Sequence, residues 1–264
     1  MESLDTLRAD LRAEQNALDD LVAVLSGEQW ATPTASVGWT IADQIGHLSF
    51  FDASAATAVL DTDAFYASIE QLVAGTREHG IDDFTLSNFR SLTPSDLLNT
   101  WRRNRAALND AAAGLNESDR VPWYGPSMSA KSFIGARLME TWAHGADVVD
   151  ALGVSRESTD RLRHIARLGF ITRKWSYEVR GESLPHGTVR VELEGPDEAT
   201  WRWGPSDADD VVTGPAEEFC LVVIQRRHVD DTTLVTGELG RHWLTRAQAF
   251  AGGPTIGPRP RSER

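Results

Sequence analysis

The chain has 264 residues, of which 41% are hydrophobic and 25% charged, and its formal net charge is −13. That much apolar material builds a packed core in one large domain or two ordinary ones, which excludes a disordered or fibrous protein. The acidic excess argues against a nucleic-acid backbone or an anionic membrane surface as partner, and a single cysteine, Cys220, excludes a framework of internal disulfides.

No apolar run is long enough to span a bilayer, and the start Met-Glu-Ser-Leu-Asp-Thr-Leu-Arg lacks the basic and apolar stretches of a signal peptide. With the lone cysteine, this predicts a soluble protein of the reducing cytoplasm, a monomer or homodimer that acts on a small molecule. Charge is unevenly spread: residues 1–150 carry a net −12 and residues 151–264 a net −1, which suggests two regions of different surface character.

Taken in chain order, the first half reads as helices. Leu4, Leu7, Leu11, Leu18, Leu21, Val22 and Leu25 recur at helical spacing up to about Ser26, and Gly27 marks a stop. After a loop over 32–38, Thr40 caps a second helix with Asp43 at its third position, and Ile41, Ile45, Leu48 and Phe51 carry it to about Leu60. A third helical segment covers 64–79. Thr93-Pro94-Ser95-Asp96 opens a fourth helix, through Leu97, Leu98, Trp101 and Leu108 to Gly114. A Pro/Gly/Ser loop over 122–127 follows, and Ser129 caps a helix ending near Leu152-Gly153. Four long helices with polar outer faces predict a bundle.

Beyond residue 155 the pattern changes. A helix over 158–179 leads to Thr188–Glu194, which alternates with period two, and a second strand from Ala199 follows the Gly195-Pro196 turn, so the pair reads as a hairpin. A third strand is expected over 210–213, an apolar helix from Thr213 to about Arg227, and another strand at 233–236. The expected organisation is mainly α: a helical bundle over 1–155, a linker helix and small α+β domain over 156–252, and a mobile tail over 253–264 rich in Gly, Pro and Arg.

Glu140 and His144 stand four residues apart and share one helix face. Leu138, Met139, Trp142, Ala143 and Val148 make that helix largely buried, so the carboxylate and the imidazole need a partner. Each other, in a simple pair, or a divalent cation would serve. His47, on the apolar second helix, would complete a two-histidine, one-carboxylate set suited to zinc, nickel or iron with open positions. Spacing alone leaves both readings open.

The segment Trp39-Thr-Ile-Ala-Asp-Gln-Ile-Gly-His47-Leu48, with Met139-Glu140-Thr-Trp-Ala-His144-Gly-Ala-Asp-Val further on, resembles the mycothiol-dependent maleylpyruvate isomerase family of the DinB-like metalloenzyme superfamily. The Phe219–Arg227 stretch and the Gly240–Gly252 ending are similar to a subgroup known only for binding metal. The resemblance implies a DinB-like four-helix bundle with a zinc-like divalent ion held by His47, Glu140 and His144. From Val211-Val-Thr-Gly-Pro-Ala-Glu-Glu, with Asp230-Asp231 beyond it, it also implies a C-terminal sterol-carrier-like α+β domain. Some members use a low-molecular-weight thiol, mycothiol, whose pKa a bound metal would lower.

Other residues carry paired readings. Trp123 and Tyr124, in the loop before the ligand helix, would line an apolar substrate pocket or staple that loop to the bundle. Arg241 is a candidate contact for the carboxylates of a thiol. Asp43 is a cap, with support of a metal ligand as its alternative role. Arg102 and Arg105 read as a solvated helix face, or as a fork for a substrate carboxylate. Cys220 reads as inert core. No nucleophile elbow or phosphate-binding glycine loop is present, and no catalytic group beyond the ligand set stands out.

The leading expectation is therefore a metal-dependent enzyme that activates a thiol or a substrate oxygen for isomerisation or thiol transfer on a small organic molecule. A thiol-independent metal hydrolase, cyclase or lyase is the second reading. A non-catalytic, metal-containing small-molecule-binding protein is the third.

Overall fold

Polar caps set the ends of the long helices in the computed structural model, which describes residues 3–263. The Ser3 hydroxyl accepts the Thr6 N–H at the head of α1 (Leu4–Val22). After the one-turn α2 (Gly27–Trp30), Thr40 and Asp43 form a reciprocal capping box that opens α3 (Ile41–Leu60). The helices α4 (Thr62–His79) and α5 (Ile81–Arg90) follow. Thr93, with Pro94 in the first turn, starts α6 (Pro94–Ala113). Ser129 caps α7 (Ala130–Leu152), which Gly153 closes in the left-handed region at φ 65°. Each N-terminal cap satisfies an amide that has no partner within its helix.

Two parts of this half differ from the sequence expectation. The segment after Gly80 forms α5, and the loop before the ligand helix is a β-hairpin, β1 (Arg120–Trp123) with β2 (Gly125–Ser129). Pro122 and Gly125-Pro126 hide its alternation. The strands pair antiparallel with a register shift between Val121 and Trp123, which leaves Tyr124 at the turn.

The chain divides into two units, one up to Ser155 and one from Arg156 onward. In the first, α3 lies against α6 and α7, and α1 packs on α7. Ile41, Ile45, Leu48, Leu97, Trp101 and Val148 belong to one buried cluster. Arg102 and Arg105 reach from α6 to Asp19 on α1, at 2.6 and 2.5 Å, and the Arg105 guanidinium lies over the Trp101 ring. These arginines clamp two helices: Arg105 is largely covered, whereas Arg102 bonds Asp19 from a face that stays exposed, so neither is a free fork.

The second unit contains α8 (Leu162–Ile171), α9 (Arg173–Glu178), β3 (Val189–Glu194), β4 (Thr200–Trp203), β5 (Asp210–Pro215), α10 (Ala216–Val223) and α11 (Glu238–Leu244). β3 and β4 make the expected antiparallel hairpin, and β5 adds parallel to β3, giving the order β4-β3-β5. Val189, Val191 and Leu193 point their alternating side chains into the core under α10. α10 ends at Val223, and the chain turns at Gln225 with φ 60°, so Arg226, Arg227 and His228 follow the helix instead of ending it. The stretch 233–236 contributes one bridge, Thr213 to Val235, in place of a strand. The terminal stretch read as a mobile tail is hydrogen-bonded within this unit: the Thr255 hydroxyl donates to Gln225 Oε1 at 2.7 Å and the Arg261 N–H to Asp231 at 2.8 Å. Arg264 lies outside the described residues.

Asp210 joins β5 to the start of α11 by accepting the backbone N–H groups of Gly237 at 2.9 Å and Gly240 at 2.8 Å. Burial raises its pKa, but the amides of Gly240, Gly237, Val211 and Leu239 outweigh it and hold the carboxyl below 3.8. Its stabilising contribution is therefore present above 3.8 and is lost as pH falls through the lower folded value. Asp210→Ala is expected to cost about 1–3 kcal/mol at neutral pH, and less in strong acid. Urea unfolding followed at both pH values checks this.

Among the described residues, no helix is long and apolar enough to cross a membrane.

Candidate metal centre

Packing of α3 on α7 brings His47 to the face of α7 that carries Glu140 and His144. His144 Nε2 lies 3.3 Å from Glu140 Oε2, and His47 Nε2 lies 4.0 Å from the same oxygen. One ligand atom from each of the three residues stands within 4.8 Å of the other two. Donors bonded to one zinc-like ion at about 2.0–2.2 Å are spaced by about 3–4 Å, and the two distances to Glu140 Oε2 fall in that range. The simple-pair reading accounts for the contact of Glu140 with His144, but not for the approach of His47 to the same carboxylate. His47 and Glu140 are partly open to solvent while His144 is buried, so the site has an open side and a closed one.

Burial alone would raise the Glu140 pKa. The hydrogen bond and charge of His144, with the charges of Arg137 and His47, pull harder and hold it at about 2. The carboxylate is thus held ionised by its protein neighbours, and a partly buried negative charge flanked by two histidines favours a cation.

Support for His144 comes from a residue the sequence reading passed over. Gln44, fully buried one turn before His47, places its Oε1 2.5 Å from His144 Nδ1. Its amide nitrogen donates to Thr34 Oγ1 at 2.9 Å and Ser36 Oγ at 3.2 Å. Asp43 serves elsewhere: it caps α3 and accepts Arg90 Nε at 2.7 Å. The available signal was a glutamine on an otherwise apolar helix face. The Trp39 indole lies nearly parallel to the His144 ring, at 16° with centroids 6.1 Å apart, and its N–H donates to Asp82.

Aromatic rings extend from the cluster to the β1–β2 hairpin. His47 meets Phe51 at 4.6 Å between centroids, and Phe51 meets Tyr124 at 5.5 Å and Trp123 at 6.4 Å. Trp123 also stacks on Phe65 at 5.7 Å, so these rings both hold the hairpin down and wall one side of the site. Burial raises the Tyr124 pKa against the opposing Ser54 hydrogen bond and Arg137 charge, so the phenol keeps its proton. Arg137, one turn before Glu140, gives Nε and Nη2 to buried Asp52 and sets its guanidinium over Trp123 at 5.9 Å. Arg241 lies in the second unit, paired with Asp230. Cys220 is buried and burial pushes its thiol pKa well up, which suits inert core.

The profile of the mycothiol maleylpyruvate isomerase N-terminal domain matches residues 11–149. The chain belongs to this family. All three residues of the cluster lie within the matched span. An "uncharacterized protein" found in two strains of Mycobacterium tuberculosis is 47% identical over 250 residues, covering 94% of this chain and 96% of the relative. Crystal structures of the mycothiol-dependent maleylpyruvate isomerase and of a histidine-to-alanine mutant of it match with TM-scores of 0.59 and 0.57. Their identities are 18% and 17%, over 86% of this chain and 92% of theirs. At that identity the likeness is one of fold, and it extends the DinB-like helical bundle with its small α+β part over most of this member of the mycothiol maleylpyruvate isomerase family.

Proposed function

We propose that this family member is a metal-dependent isomerase or thiol transferase, with one divalent ion, zinc foremost, held by His47, Glu140 and His144. The observation that carries the reading is the convergence of these three donors beside an aromatic wall. A divalent ion there would supply Lewis acidity, lowering the pKa of a thiol such as mycothiol or polarising a substrate oxygen.

The chain's own groups supply the rest. Glu140 provides the fixed negative charge. Phe51, Trp123 and Tyr124 exclude water from one side and offer a surface for the apolar part of a small substrate. Tyr124, with its proton retained, can donate a hydrogen bond to a substrate oxygen.

The names of the solved relatives make maleylpyruvate with mycothiol the first pair to test. The zinc-loaded protein is expected to isomerise it only when thiol is present. Turnover of an unsaturated oxo acid without thiol would favour a thiol-independent hydrolase, cyclase or lyase instead. Bound zinc with no turnover across a panel of such acids and thiols would favour a binding protein.

A further inference from the structure

We infer that Gln44 is a positioning residue that fixes the His144 proton on Nδ1 and thereby presents the Nε2 lone pair to the metal. This rests on the metal reading above, but its geometry is independent of any ion. A chain of hydrogen bonds from Thr34 through Gln44 to His144 orients the amide and the ring.

The Thr34 hydroxyl owns one hydrogen and gives it to the Trp39 carbonyl at 3.1 Å. Toward Gln44 it can only accept, at 2.9 Å, so the end of the Gln44 amide facing Thr34 is the NH2 group. Ser36 Oγ takes the second hydrogen of that group at 3.2 Å. The opposite end of the amide, which faces His144, is therefore the carbonyl oxygen. At 2.5 Å from Nδ1, Oε1 requires an N–H between them; two lone pairs at that distance would repel. Gln44 has no exposed surface, so it has no alternative partner in solvent.

A neutral imidazole carries one N–H. With Nδ1 committed to Gln44, Nε2 is the nitrogen left to face Glu140, 3.3 Å from Oε2, and to serve an ion bound between them. The free rotation of the histidine ring is thus removed by a threonine, a backbone carbonyl and a glutamine before any ion arrives. Metal-bound histidines generally gain affinity and orientation from such a partner on the second nitrogen, and its loss typically costs roughly 10- to 100-fold in metal affinity.

The test compares Gln44→Met, which keeps length and removes the acceptor, with Gln44→Glu, which keeps an oxygen in place. Nitrogen-15 NMR of the metal-free and zinc-loaded wild-type protein is expected to show a His144 Nδ1–H protected from exchange, and Gln44→Met to lose that signal. Zinc affinity, measured by competition with a chelator, is expected to fall roughly 10- to 100-fold in Gln44→Met and to be restored in Gln44→Glu. Wild-type affinity in Gln44→Met, or no protected Nδ1–H in the wild-type protein, overturns the inference. Equal loss in both variants also overturns it, since that would mark Gln44 as packing alone. A wild-type protein that binds no zinc would instead defeat the metal reading, and the Nδ1–H signal of the metal-free protein would still decide the role of Gln44.

Discussion

Zinc content is expected to fall from about one ion per chain to near zero when His144 is replaced by alanine, and activity is expected to fall with it. The reason is the number of donors. Three protein ligands at one ion are the usual set of a catalytic zinc site, and among the described residues the cluster consists of these three. Without His144, His47 is the histidine of the set left beside Glu140, 4.0 Å away and partly open to water. His47→Ala should behave alike. Glu140→Gln is the sharper companion, because it keeps the shape and removes the charge that sits ionised down to about pH 2. Elemental analysis of the four proteins, purified identically and checked for folding by circular dichroism, decides the matter. A His144→Ala protein that retains one zinc and full turnover would place the ion somewhere else and sink the mechanism.

What the sequence revealed and what it hid divide along one line, the range of the interaction. Helix starts were readable because their physics is local: Thr40 with Asp43, and Thr93 with Pro94, satisfy amides within the same turn. The pairing of Glu140 with His144 was readable for the same reason, being one turn of one helix. His47 could be joined to them only by resemblance, since its approach depends on how α3 packs against α7. Gln44 stayed hidden because its partner is 100 residues away. The clamp of Arg102 and Arg105 on Asp19 was likewise out of reach, spanning 83 and 86 residues, and so two cross-helix contacts were hidden within what read as a solvated face. The hairpin over 120–129 failed for a different reason. Its strands are short, and Pro122, Gly125 and Pro126 are residues that ordinarily argue against a strand.

The buried pair of Asp52 and Arg137 is the place where the stability of the bundle and the chemistry of the site meet. Asp52 is fully buried on α3 and Arg137 is 3% exposed on α7, joined at 2.8 Å, and the Trp101 indole donates to the other carboxylate oxygen at 3.1 Å. Asp52→Ala strands a guanidinium in the core and leaves the indole N–H without its acceptor. Breaking such a pair from one side typically costs about 3–5 kcal/mol. The double variant Asp52→Ala/Arg137→Met removes both charges and is expected to recover much of that loss, since an apolar pair of similar volume often does as well as the ions. The same change should be felt at the metal centre. Arg137 already acts on Glu140 through its charge, and once released from Asp52 it is free to turn toward that carboxylate and compete with the cation. Zinc affinity is therefore expected to drop in the single variant and to return in the double one, in parallel with the melting temperature. If the single variant melts with the wild type, the pair contributes nothing to the fold. If the double variant regains stability but not zinc, Arg137 holds the site in shape by more than its contact with Asp52.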